Sequence, residues 1–188
     1  MKQCIMLAAG LSSRMGVWKM MLPWKTGTVL DSALHHALEF CDRVILVTGY
    51  RGEELAQRYA GHAGIRLCPN SRFRQGMFSS VQCGASLLSG ERFFVVPGDM
   101  PAIDPQVYAT LWQHASDRCL HPRFEKGNGH PVLLPAALIP LILAAPQESN
   151  LREIMQARGR TSVPVTTPAI HWDLDTPQQY RALQAICP

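Results

Sequence analysis

The chain contains three short stretches in which every side chain is apolar: Cys4 to Ala9, Val44 to Val47 and Phe93 to Val96. Each is followed closely by a glycine (Gly10, Gly49, Gly98). A strand with one wet face alternates apolar and polar residues; a strand covered on both faces has no side on which to place a polar one. These runs therefore predict buried strands of a mainly parallel sheet. Helical patterns lie between them. Thr28 can cap a helix whose apolar face is Leu30, Leu34, Ala37, Leu38 and Phe40, and further helices are expected over Glu53 to Ala60 and Ser79 to Leu88. Strand and helix in alternation predict a doubly wound α/β fold.

The second half is less regular. Asp104-Pro105 opens an expected helix toward His114, His130 to Leu134 reads as a strand, and Ala136 to Ala144 reads as a helix. Ser149 is placed as the cap of a helix ending near Gly159, and Val163 to Val165 and Ile170 to Leu174 are expected strands. Thr176-Pro177-Gln178-Gln179 carries a cap, a proline at the first helical position and a glutamine where a capping box needs it. No repeat, low-complexity segment or linker interrupts the 188 residues, a length that fits one domain. No apolar run approaches the roughly 18–20 residues of a membrane span, and the first run is too short for a signal peptide, so a cytoplasmic protein is expected. Six scattered cysteines without a CxxC pair predict reduced thiols rather than a zinc site or disulfide framework. A formal charge of +4, without dense basic clusters, suits a small anionic ligand and not nucleic acid.

In open α/β sheets, ligands bind outside the carboxyl ends of the strands. Gly10-Leu11-Ser12-Ser13-Arg14-Met15-Gly16-Val17-Trp18-Lys19 follows the first run. Its glycines allow close backbone approach, its N–H and hydroxyl groups donate, and Arg14 and Lys19 supply positive charge, as a phosphate cradle requires; the same composition also suits a polar turn. The spacing is neither GxGxxG nor a P-loop. Asp99, between Gly98 and Met100-Pro101 at the end of the third run, is placed to hold a metal or to form a turn. In Asp173-Leu174-Asp175, alternation puts both carboxylates on one side, where either can join Asp99; Asp175 also suits a helix cap. Mg²⁺ takes one or two carboxylates and completes its octahedron with phosphate oxygens and water.

These segments together resemble the MobA-like nucleotidyltransferase family. Leu7-Ala8-Ala9-Gly10-Leu11-Ser12-Ser13-Arg14-Met15-Gly16, with Lys19 following, looks like its signature loop, and Gly98-Asp99-Met100-Pro101 looks like its metal motif. Gly129-His130-Pro131-Val132 and Asp173-Leu174-Asp175-Thr176-Pro177 match two further family segments, and Gln75 to Val81 is similar to the stretch lining the nucleotide pocket. Gly10 to Trp24 and Ile45 to Gly52 are most similar to the cytidylyltransferase branch. The guanylyltransferase branch usually has two glycines where this chain has Ala9-Gly10. Residues 124–128 follow no fixed family pattern.

The resemblance implies a three-layer, Rossmann-like nucleotidyltransferase fold over residues 1–188, with nucleotide bound by the first half and acceptor by the second. It implies CMP transfer from CTP to the molybdenum cofactor, giving molybdopterin cytosine dinucleotide for hydroxylases of the xanthine dehydrogenase type. Asp99 with Asp175, and Asp173 as a third participant, would hold Mg²⁺ or alternatively Mn²⁺. Arg14 and Lys19 would neutralise phosphates. Leu7, Ala8, Ala9, Gly10, Ser12, Ser13 and Gly98 would line the phosphate loop, and Ser79 and Ser80 would contact ribose or base. His130 would face the pterin phosphate or serve as a hydrogen-bonded structural histidine. The same residues leave open GTP as donor, a sugar phosphate as acceptor, or a non-catalytic carrier of the cofactor.

Overall fold

Residues 1–125 and 127–187 are described by the computed structural model, so Lys126, within the 124–128 segment noted above, and Pro188 lie outside it. In chain order the elements begin with β1 (Gln3–Ala8), β2 (Pro23–Trp24), β3 (Gly27–Thr28), α1 (Val29–Leu38), β4 (Arg43–Thr48), α2 (Gly52–Arg58) and β5 (Ile65–Pro69). They continue with α3 (Met77–Ala85), β6 (Arg92–Pro97), α4 (Pro105–Gln113), β7 (Cys119–Phe124), β8 (Gly127–Asn128) and β9 (Val132–Pro135). The last are α5 (Ile139–Ala144), α6 (Leu151–Arg158), β10 (Arg160–Pro164) and α7 (Pro177–Ile186).

The main sheet runs β10-β7-β9-β6-β1-β4-β5, with β8 attached to β7. β1 pairs in parallel with β4 and β6, β4 with β5, and β7 with β10. β9 is antiparallel to both β6 and β7.

The apolar runs have the cause the sequence implies. All six residues of β1 are buried. Its alternate side chains divide between two cores: Cys4, Met6 and Ala8 pack with Leu30, Leu34, Val107 and Leu111 from α1 and α4, while Ile5 and Leu7 pack with Phe78 and Val81 of α3 and Ile142 of α5. Helices thus cover both faces of a mostly parallel sheet, giving the three layers. Thr28 caps α1 in a reciprocal box with Asp31, and Thr176 caps α7 in the same way with Gln179.

Several expectations need correction. Asn150, not Ser149, caps α6: its Oδ1 accepts from the Glu153 N–H at 2.9 Å. The stretch Ile170 to Leu174 is no strand. Thr167 and Pro168 start a 3₁₀ turn over Pro168–His171, and irregular chain follows. The expected strand from His130 begins only at Val132, because the His130 N–H is spent on the Ile170 carbonyl at 3.0 Å. At that crossing a Cβ on Gly129 would lie 2.2 Å from the Ile170 oxygen, so only glycine fits. The helix expected from Ala136 opens as a 3₁₀ turn over Ala136–Leu138 and becomes helical at Ile139. β5 and β7 were not foreseen: Arg66 interrupts the apolar pattern of one, and His121, Pro122 and Arg123 that of the other. Among the described residues no helix is long and apolar enough to cross a membrane.

Just beyond β4, an ideal Cβ on Gly49 would lie 2.6 Å from the Phe73 Cβ and Cγ and 2.9 Å from the Ala9 Cβ. These atoms sit close to their own backbones and cannot swing away. Gly49→Ala should therefore destabilise the fold by about 1–3 kcal/mol, read as a lower midpoint in urea denaturation.

Candidate active site

The parallel strands bring the loops after β1 and β6 side by side at one edge of the sheet. Leu7 is in register with Pro97, and the Gly98 N–H continues the pairing to the Leu7 carbonyl at 2.9 Å. A Cβ on Gly98 would come within 3.2 Å of that carbonyl oxygen and 3.0 Å of Leu30, which keeps the position small. The loop after β1 then turns through Ser12 and Gly16, both at positive φ (56° and 71°). The Met15 N–H closes on the Ser12 carbonyl at 3.0 Å, and the Lys19 N–H donates to the Ser12 hydroxyl at 3.2 Å. This curl sends the Lys19 side chain back toward the end of β6.

There the Lys19 ammonium donates to Asp99 Oδ2 and, at 3.0 Å, to Asp175 Oδ1. The second oxygen of Asp175 accepts Arg14 Nη1 at 2.7 Å. The C-terminal segment is held by main chain: the N–H of fully buried Leu174 donates to the Asp99 carbonyl at 3.2 Å. Thr176 caps the following helix, which settles that Asp175 does not. Asp99 Oδ1 is buried with no hydrogen-bond partner among the described residues. Leaving such an oxygen unsatisfied is costly, and a hard cation accepts oxygen ligands of this kind. The donor set therefore fits a divalent metal, although among the described residues no group of three or more His, Cys, Asp and Glu is placed to hold one.

Two cavities meet at this cluster. The smaller, about 310 Å³, lies on the side of the β1 loop and the start of α3, and its walls include Ala9, Gly10, Arg74, Gly76 and Ser80. The larger, about 1020 Å³, lies toward β7, β9 and β10, and its walls include Arg14, His121, His130, Arg160, Asp173 and Asp175. Leu7, Lys19, Met77, Pro97 and Asp99 border both. A further cavity of about 320 Å³, between Trp24 and Trp172, contains none of these residues.

Residues 4–162 match the MobA-like NTP transferase domain. The chain belongs to that family. It is 39% identical over 177 residues to a molybdenum cofactor cytidylyltransferase of Escherichia coli (strain K12), covering 94% of this chain and 92% of the relative. It is 27% identical over 173 residues to a probable molybdenum cofactor guanylyltransferase of Methanosarcina mazei, covering 86% and 71%. A solved nucleotidyl transferase from Methanothermobacter superposes with a TM-score of 0.86 over 99% of this chain and 97% of that one, at 21% identity. The last likeness concerns the fold alone. As a MobA-like domain the chain is a nucleotidyltransferase. Lys19 and Asp99 fall inside the matched stretch; Asp173 and Asp175 lie beyond it.

The MobA-like domain presents the remaining candidate residues unequally. Ala8 points its methyl into the core, and Ser13 stands exposed on the loop. The Ser79 hydroxyl is engaged within the protein: it donates to the Gly76 carbonyl at 2.8 Å and accepts from Asn70 Nδ2 at 2.9 Å. Ser80 accepts from the same amide at 3.0 Å and does border the smaller cavity. His130 lines the larger cavity. Burial pushes its imidazole pKa down, against the opposing charge of Asp99. Trp18 and Trp24 are buried packing residues. Sequence reasoning missed Asn70, Arg74 and His121. Burial, aided by the charges of Arg160 and His130, lowers the His121 imidazole to about 4, so it is neutral at neutral pH.

The charges around the cluster are mutually dependent. Burial alone would lower the Lys19 ammonium, but the charge of Asp99 and hydrogen bonds to Asp99 and Asp175 raise it above the ordinary lysine value. Burial alone would raise the Asp175 carboxyl; the hydrogen bond and charge of Lys19, with the charge of Arg14, outweigh it and hold the group below the usual carboxylate range. Burial, then the charges of Asp175 and Asp99, raise Asp173. A carboxyl depressed in the folded state contributes stability above its unfolded pKa, and that contribution is lost as pH falls through the folded value. Asp175→Asn should therefore lower the urea midpoint at pH 7, and the gap from wild type should close as pH falls below the ordinary carboxylate range, through the depressed folded value.

Proposed function

We propose that this chain transfers CMP from CTP to the terminal phosphate of the molybdenum cofactor, giving molybdopterin cytosine dinucleotide and pyrophosphate. The observation that carries this reading is the 39% identity to a cytidylyltransferase across nearly the whole of both chains. The two cavities joined at Lys19 and Asp99 are consistent with two substrates reacting where their pockets meet. On this reading residues 1–188 act as one domain, CTP enters the smaller cavity built from the first half, and the pterin enters the larger one built mainly from the second. Ala9 sets a methyl in the wall of the smaller cavity where the guanylyltransferase branch usually has glycine, which favours cytidine.

The nucleophile is a phosphate monoester with a second pKa of about 6, so it is already largely dianionic near neutrality. No strong general base is required. The barrier is the approach of two highly negative groups, so placed cations and alignment carry the catalysis. Lys19, released from Asp99 and Asp175, and Arg14, whose side chain is 73% exposed, neutralise the triphosphate and the departing pyrophosphate. Backbone N–H groups from Ala9 to Ser13 bind phosphate oxygens, and Ser80 contacts the nucleoside. Asp99 and Asp175 would hold Mg²⁺ or Mn²⁺, which when bound supplies charge neutralisation at the α-phosphate. The reaction is assigned to the cytoplasm, with a hydroxylase of the xanthine dehydrogenase type as recipient of the product.

Pyrophosphate release with purified molybdenum cofactor tests the reading, comparing CTP with GTP and with a sugar phosphate as acceptor. CTP with the cofactor should react fastest, chelation should stop turnover, and added Mg²⁺ or Mn²⁺ should restore it. Turnover with GTP alone would overturn the cytidine assignment, and turnover on the sugar phosphate without cofactor would overturn the acceptor. Asp99→Ala should lower the rate by roughly 10²–10³, about 3–4 kcal/mol, with an unchanged circular dichroism spectrum. Wild-type-like turnover of that variant would remove Asp99 from the site.

A further inference from the structure

Two cysteines outside the active-site cluster stand against each other. Cys68 lies near the end of β5 and Cys83 in the second half of α3, and their sulfurs are 2.6 Å apart. A disulfide needs about 2.05 Å, a change within reach of small side-chain rotations. Their surroundings differ in the way that an attacking and a resolving thiol require. Cys68 is buried; Cys83 is half-buried and open to solvent on one side. Burial, and then the hydrogen bond to Cys83, push the Cys68 thiol up to about 12, which keeps it protonated; either sulfur can donate in the pair. Cys83 is the sulfur that an oxidant can reach. Cys4 and Cys41 also interact, but both lie in the core with no access from outside.

We infer that Cys68 and Cys83 are a redox modification site that closes to a reversible disulfide between β5 and α3. A hydroperoxide is the oxidant by chemical class. The Cys83 thiolate attacks the terminal peroxide oxygen, breaking the O–O bond, giving a sulfenic acid and releasing an alkoxide, or hydroxide where the oxidant is hydrogen peroxide. The Cys68 sulfur then attacks the Cys83 sulfur, forming the S–S bond, and the sulfenic oxygen leaves as water with the Cys68 proton. In a reducing cytoplasm a disulfide of this kind is a sensing device rather than a permanent staple. Its position gives it leverage. Cys83 is three residues beyond Ser80 on one helix face, and Asn70, two beyond Cys68, already holds the Ser79 and Ser80 hydroxyls. The cross-link would reinforce that attachment and stiffen the α3 wall of the smaller cavity.

The test treats the purified full-length chain with a small excess of hydrogen peroxide, alkylates it under denaturing conditions and maps peptides by mass. The expected result is loss of two of the six thiols, a cross-linked peptide pair containing Cys68 and Cys83, and recovery of both thiols with dithiothreitol. The oxidised form should melt several degrees above the reduced form, because the bond restricts the unfolded chain. Cys83→Ser should lose both the cross-link and the shift in Tm while keeping the reduced protein's circular dichroism spectrum. Oxidation that joins a different pair, or that carries Cys83 to a sulfinic acid while Cys68 stays a thiol, would overturn the inference.

Discussion

The Lys19 ammonium, set between the carboxylates of Asp99 and Asp175, ties together three segments that are far apart in the chain. Each carboxylate would be costly to bury alone, and the lysine would be equally costly without them. Their mutual need fixes the loop after β1, the end of β6 and the irregular stretch before α7 in one place. Main chain reinforces the union where Leu174 bonds to Asp99 and Gly98 bonds to Leu7. A cluster that pairs charges this closely can also exchange partners: a phosphate can take the cation, and a metal can take the carboxylates. The groups that hold the loops together are also those to which the proposed function assigns the nucleotide and its metal.

The parts of the fold legible in the sequence were those governed by local rules. Continuous apolar runs revealed β1, β4 and β6 because both faces are covered, and the Thr28 and Thr176 caps read correctly because capping is decided within a few residues. β7 was hidden because His121, Pro122 and Arg123 break the apolar pattern, although its neighbours β9 and β10 give it a place in the sheet. The stretch Ile170 to Leu174 looked extended by composition, yet the turn begun at Thr167 and Pro168 prevailed.

The site divides in the same way. Arg14, Lys19 and Asp99 follow buried strands and carry the residue types a phosphate site would need, and the fold brings them to one cavity. Asp173 and Asp175 were expected on one side from the alternation of an extended chain; the segment is irregular, with Leu174 buried between them. The setting of Ser79 was hidden because its partner Asn70 lies in another segment, and nothing local shows that its hydroxyl is already engaged. His121 and Arg160 reach the larger cavity from strands brought together only by tertiary pairing.

The reversed direction of β9 shifts where its contribution to the crevice is found. Every parallel strand delivers residues to that edge as the chain leaves it, but β9 runs the other way, so its entrance faces the crevice and its exit faces away. His130 thus lines the larger cavity because it comes before its strand. For this position in the sheet, side chains that face the larger cavity belong upstream of the apolar run, and changes after Pro135 should act on packing at the opposite rim.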